Sequence, residues 1–297
     1  MVTTATARRE ALLFDVVVYT VLVAVSVTMV YPFLNVIAVS FSSYSAFLSN
    51  PMMIWPRDVT LEAFRFVFNN SLILSSYRNT IVVTIVGTTI SVGLTILTAY
   101  PLSRRGLKGK AFFMTYIILT MMFSGGIVPS FLLVRSLGIL NTLWALILPM
   151  CFSAYNVILM KSFFENIPDS LKEAAAIDGA SEWFILSRIF VPLSTPIIAT
   201  VTLFSAVAYW NSFFLAVLYI RDQGLWTLQL VLREIIMAAN TAMLDTGGNY
   251  AEMSSRTIPA DTLKYATLIV AVLPILCVYP FLQKYFVKGI MLGAVKG

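Results

Sequence analysis

The chain of 297 residues is 59% hydrophobic and 11% charged, with 20 Lys and Arg against 14 Asp and Glu, a net charge of +6, a mean hydropathy of +0.87 and no His. Soluble domains carry about 25% charged residues, so water as the sole solvent is excluded, and the lack of His removes the commonest general base and metal ligand. No G-x-x-x-x-G-K-[ST] run is present to cradle a phosphate, and no basic cluster is interleaved with aromatics as a nucleic-acid surface requires.

Asp, Glu, Lys and Arg are missing from the intervals 16–56, 79–103, 111–134, 136–160, 189–220 and 265–283. A bilayer-spanning helix needs about 20 mostly apolar residues. Six spans are therefore predicted, at 16–38, 79–102, 111–134, 143–163, 189–214 and 265–286, in an all-α polytopic membrane protein with a single transmembrane domain over 1–297. The first run follows Arg8 and Arg9 as a secretory signal would, but it exceeds a signal core in length and lacks a small-x-small cleavage site, so it is read as span one. Span two contains "IVVTIVGTTISVGLTIL", which is apolar throughout and does not alternate as a barrel strand must.

After span two, "SRRGLKGKA" has four basic residues and no acid, the cleanest orientation signal in the chain. With the N-terminus inside, twelve of the 20 Lys and Arg collect on that face, so both termini are expected in the cytoplasm. Span three is interrupted by "SGGIVP", 124–129, which reads either as a hinge or as a static kink. Cys151 and Cys277 fall in spans four and six, where a small buried hydrophobe is the expected role. Tyr155, Asn156, Tyr209, Trp210 and Asn211 are the polar and aromatic groups that would line a path, although a mid-helix Asn also holds helices together. The spans carry no acid or base away from their ends, which argues against a stand-alone ion-coupled carrier or a membrane-embedded enzyme.

Between spans four and five, the cytoplasmic loop 164–188 contains "IPDSLKEAAAIDGASEWF". Ser170 and Glu173 have the S-x-x-E spacing of a capping box, Asp178-Gly179 ends the short helix, and Ser181 caps a second helix that is expected to run through Trp183, Leu186 and Ile189 into span five. The small residues Ala174, Ala175, Ala176 and Gly179 give a low-relief surface for another protein; an interfacial helix with Glu173 as a mere cap is the alternative. Beyond span five, the outer loop 221–261 carries the turn-rich "NTAMLDTGGNY".

"EAAAIDGASEWFILSRIFVP" resembles the EAA signature of binding-protein-dependent ABC importer permeases, E-A-A-x3-G-x9-I-x-L-P, with Glu173, Ala174, Ala175, Gly179, Ile189 and Pro192 in register and Val191 where Leu is usual. "FSGGIVPSFLLVRSLGILNTLWALILP", "LFSAVAYWNSFFLAVLY" and the final "GAVKG" extend the resemblance to the carbohydrate-uptake permeases, of the LplC/YtcP-like branch and more distantly the MalG-like type. The resemblance implies that Glu173, Ala174, Ala175, Asp178 and Gly179 form a coupling helix docked on an ATPase, and that Lys296 and Gly297 reach the same subunits unless that tail is simply a solvated end. It further implies that Asn240, Asp245, Gly247 and Gly248 belong to a loop that enters a solute-binding protein. The implied partners are a second homologous permease, two ABC ATPase subunits that use ATP and Mg, an extracytoplasmic solute-binding protein, a carbohydrate and the lipid bilayer of a bacterial cytoplasmic membrane. No cofactor or metal is expected on this chain and no nucleic acid among its partners. Acidic and basic residues of the outer face nearly cancel in number, so sequence leaves acidic and neutral sugars both open.

Overall fold

The computed structural model describes residues 3–245, 262–277 and 280, with side chains described for 13–237, 262–277 and 280. Its helices are α1 (Thr3–Ser40), α2 (Tyr44–Ser49), α3 (Glu62–Asn69), α4 (Ser71–Ser103), α5 (Lys110–Met122), α6 (Ile127–Ser136), α7 (Trp144–Ile147), α8 (Ala154–Phe164), α9 (Asp169–Ile177), α10 (Glu182–Ile185), α11 (Val191–Leu193), α12 (Thr195–Trp210), α13 (Phe214–Tyr219), α14 (Leu228–Asp245) and α15 (Thr262–Cys277). Among the described residues the only β pairing is an isolated antiparallel bridge between Ser42 and Val59.

Spans one and two appear as expected, inside unbroken apolar helices over Leu13–Ser40 and Ser71–Ser103. The intervals predicted as spans three, four and five are bent helix pairs, each a broken span or a re-entrant loop. The first pair, Lys110–Met122 with Ile127–Ser136, turns by 113° because Gly126 sits at φ +85, a left-handed conformation that favours glycine, and the chain restarts as a helix only at Ile127. The second pair, Trp144–Met150 with Ala154–Phe164, bends by 49°.

The third pair corrects the expectation of one helix running from Ser181 into span five. Glu182–Leu193 meets Thr195–Trp210 at 82°, after a five-residue π-helical turn over Leu186–Phe190. Pro192 has no N–H to return to the carbonyl four residues back, and Pro196 opens the first turn of α12, where no intrahelical donor is needed. Span six is represented by α15, and the remainder of 265–286 lies outside the described residues apart from residue 280.

The chain divides into two compact units, Met1–Asn70 with Glu234–Ala271 and Ser71–Arg233 with Val272–Gly297. In the first, Asn35 on α1 donates to the carbonyls of Pro51 and Met53, and the 41–60 segment closes through Ser43 N–H to Asp58 O and Thr60 N–H to Phe41 O. Ala38, Val39, Ala46 and Met53 form its small core, while α1 over residues 13–34 leaves nearly all its apolar side chains exposed, as a helix facing lipid or another apolar surface would.

In the second unit α4 is the central pillar. Its buried positions Ser76, Thr80, Val83, Gly87, Ser91, Thr95 and Ala99 recur every three to four residues, so one face of an apolar helix is lined with small and hydroxyl-bearing groups. That face receives α8 and α12. At its first end Asn79 donates to the carbonyls of Gly224 and Trp226, and Thr80 Oγ1 accepts the Leu228 N–H that opens α14. Midway, Gly87 leaves a notch filled by the ring of Tyr209; a Cβ there would stand 2.5 Å from the ring.

Candidate functional site

The charged loop folds as a nine-residue helix, α9, closed by a complete Schellman turn. Ala180 N–H donates to Ala175 O at 2.9 Å and Gly179 N–H to Ala176 O at 3.1 Å, with Gly179 at φ +76 as the sequence led us to expect. At the other end the expectation fails. Helix α9 starts two residues earlier, at Asp169, with Pro168 as its cap residue and no side-chain cap, so the Ser170–Glu173 box does not form. Glu173 is exposed and lines a cleft instead, which removes capping as the account of this carboxylate. Ser181 does cap the next helix, accepting from Phe184 N–H at 3.3 Å.

Inward, Ala175 and Ala180 rest on the core of Ala99, Tyr100, Met160, Phe164, Leu186 and Phe190. Outward, Leu171, Ala174, Ile177 and Asp178 are exposed, Ile177 by 86%, with Trp183 and Phe184 exposed just beyond. Among the described residues nothing lies within 4 Å of a Cβ built at Gly179. The outer face of α9 thus combines small residues, a bulky apolar side chain and two carboxylates, Glu173 and Asp178, on a short helix whose own core contacts face the other way.

Sequence reasoning missed how the basic loop 104–110 meets this segment. Arg104 donates to Glu182 at 2.7 Å, Tyr100 donates its hydroxyl proton to the same oxygen at 2.6 Å, and Arg104 also donates to the Tyr100 oxygen. The Arg104 guanidinium lies over the rings of Tyr100 (4.3 Å) and Phe190 (5.0 Å). Arg105 pairs with Asp169 at 3.6 Å, and Glu165 accepts from Lys110 at 2.9 Å and from Lys161 at 2.8 Å. Burial pushes the Glu165 carboxyl up, but the hydrogen bonds and charges of Lys110 and Lys161 outweigh it and hold the group below its ordinary range. A cleft of about 880 Å³ separates the 97–107 and 169–186 segments, with Arg104, Arg105, Lys172, Glu173, Glu182 and Trp183 among its walls. The available signal was complementary charge: four bases in 104–110 and five acids in 165–182.

The groups expected to line a path separate into two sets. Tyr209 is 2% exposed and donates to Ile147 O at 2.9 Å, Trp210 is buried edge-on to Tyr77, and Asn156 is 6% exposed and donates to Ser205 Oγ at 3.4 Å, so these three pack helices together. Tyr155 and Asn211 are exposed, Asn211 with its amide donating to Val207 O. Asn240 and Asp245, expected in a loop tip, belong to the backbone of helix α14, because "LQLVLREIIMAANTAMLD" has no helix breaker. Gly247, Gly248, Lys296 and Gly297 lie outside the described residues.

The protein family described as "Binding-protein-dependent transport system inner membrane component" matches residues 91–292. The "Polygalacturonan/rhamnogalacturonan transport system permease protein YtcP" of Bacillus subtilis (strain 168) is 43% identical, over 96% of this chain and 99% of its own. "Protein LplC" of the same organism is 43% identical over 96% of this chain and 95% of its own. Among solved structures, one chain of "a bacterial ABC transporter involved in the import of the acidic polysaccharide alginate" superposes with a TM-score of 0.85 at 31% identity, covering 94% of this chain and 98% of that one.

Proposed function

We propose, given that the chain belongs to the family of binding-protein-dependent transport system inner membrane components, that α9 is the element through which partner ATPases drive it. The chain is a permease subunit of a carbohydrate ABC importer, a multi-pass inner-membrane protein rather than an enzyme. In the assembly a second, homologous permease supplies the other half of the path, and a solute-binding protein delivers an oligosaccharide to the outer face. Two ATPase subunits bind ATP and Mg; this chain holds neither. Both termini lie in the cytoplasm with the 104–110 and 164–188 loops.

The observation that carries this reading is the outward face of α9, which leaves Leu171, Ala174, Ile177 and Asp178 exposed while Ala175 anchors the helix to its own core. A low-relief apolar face on a helix clamped from behind accepts a close-packed partner and transmits a push as a rigid piece. The Schellman turn hands that push to the α10–α11 arm and so to α12. The ion pairs of Arg104, Arg105 and Lys110 carry it to α4 and α5.

Purification of the tagged chain from detergent, with its co-purifying subunits identified by mass, tests the reading. The expected result is a second permease and an ATPase, with ATP hydrolysis stimulated by the loaded binding protein. Gly179→Trp should abolish that stimulation without unfolding the chain: the site is open, although a side chain at φ +76 costs about 1–2 kcal/mol locally. A monodisperse chain with no ATPase partner, or full stimulated activity in Gly179→Trp, would overturn it.

A further inference from the structure

Helix α6, the loop after it and the end of α13 enclose a second cleft, of about 470 Å³, lined by Phe131, Arg135, Leu140, Asn141, Tyr219 and Arg221 together with Leu218. The volume falls within the range of small-ligand sites. Asn141 fixes its frame. At φ 57 it turns the chain in the left-handed region, its N–H donates to Tyr219 O at 2.9 Å, and its Oδ1 accepts the N–H groups of Arg221 and Asp222, both at 2.9 Å. The Phe131 and Tyr219 rings stack with centroids 6.2 Å apart and 24° between planes, so the half-buried Phe131 ring is backed by a buried one.

The electrostatics of this cleft differ from those of the cytoplasmic loops. There, Arg104, Arg105, Lys110 and Lys161 are all paired with acids. Here two exposed guanidiniums, Arg135 and Arg221, line one cleft, and among the described residues no carboxylate lines it with them and neither has an ion-pair partner. The neighbouring acid, Asp222, turns Oδ1 to Gly224 N–H at 2.8 Å. A guanidinium binds a carboxylate by paired, charge-assisted hydrogen bonds, and an aromatic face accepts the C–H face of a sugar ring.

We propose that this cleft is a recognition subsite for an oligosaccharide that carries carboxylates, a chain of uronate sugars, with Arg135 and Arg221 taking a carboxylate and Phe131 supporting the sugar ring. The inference deepens the proposed function and rests on the orientation given there, which places the cleft on the extracytoplasmic side. The mere count of charges over that side is neutral between acidic and neutral sugars; their placement is not.

The full chain in lipid nanodiscs is titrated calorimetrically with trigalacturonate and with the same trimer reduced at its carboxyl groups. Trigalacturonate should bind about tenfold more tightly or better, as befits a charge-assisted contact that the reduced sugar lacks. Arg135→Gln with Arg221→Gln should remove the preference while the melting transition stays in place, and Arg135→Lys with Arg221→Lys should retain part of it. Equal affinity of the unaltered chain for the two trimers, absence of trigalacturonate binding, or a preference that survives the double Gln substitution would each overturn the inference. Failure to recover an ATPase partner would count against the proposed function and leave this binding result as it stands.

Discussion

Tyr209 illustrates what a single side chain does and does not declare. An aromatic hydroxyl beside Trp and Asn in an apolar run has the chemistry of a sugar contact, yet its ring fills the notch at Gly87 and its hydroxyl binds the Ile147 carbonyl. The decisive residue lies more than a hundred positions away, and a lone Gly in a membrane helix has too many uses to reveal that this one faces a tyrosine. Two substitutions separate the contributions. Gly87→Ala forces a methyl group into the buried ring and should lower stability by about 1–3 kcal/mol, the range for overpacking a tight site. Tyr209→Phe keeps the ring and loses one buried hydrogen bond, which should lower it by about 1 kcal/mol. Unfolding in mixed micelles reads both. An unperturbed Gly87→Ala chain would mean that the α4–α12 contact is loose enough to yield, and Tyr209 would return to consideration as a path residue.

At the scale of elements, the ends of α4, α5, α8 and α9 around the 104–110 loop are tied by charges that were legible only as a topology signal. Glu165 is the clearest case, a carboxylate at the end of α8 shared by Lys110 of α5 and Lys161 of α8. Its carboxyl is held below its ordinary pKa of 4.5, so the unfolded chain takes up its proton first as pH falls. The stabilisation is therefore complete above about pH 4.5, where the unfolded group is also ionised, and is lost as pH drops through the lower folded value. Glu165→Gln should melt at a lower temperature than the unaltered chain at pH 7, and the two should converge at a pH low enough to protonate the folded carboxyl. A gap that persists unchanged at that pH would assign the effect to packing of the side chain rather than to its charge. The same scale explains the bends. Gly126 and Pro192 are visible in the sequence, but whether such residues kink a span or end it depends on backbone geometry, and only the fold gives 113° at one and 82° near the other.

For the molecule as a whole, the fold class was readable because a hydrocarbon solvent demands long charge-free intervals; among the described residues two helices are long and apolar enough to cross a membrane, or up to five if each bent pair is one span. Where the sequence could not decide was in partnership: which polar groups meet each other, which stay exposed, and which charges neutralise one another. That distinction bears on orientation. Arg104, Arg105 and Lys110 are paired with acids, so the face that holds them is less positive than its bases alone suggest. Orientation, however, follows the number of Lys and Arg flanking the spans rather than net charge, because acids contribute little during insertion. We therefore still propose the paired loop in the cytoplasm and, outside, Arg135 and Arg221, which have no ion-pair partner among the described residues. With Cys151 and Cys277 replaced by Ala, a cysteine introduced at Lys108 should resist a membrane-impermeant maleimide in intact cells and react after permeabilisation, whereas one at Gln223 should react in both. The reverse pattern would place the exposed face of α9 away from ATP and the Arg135 and Arg221 guanidiniums in the cytoplasm, and would remove the basis of both the coupling role and the uronate subsite together.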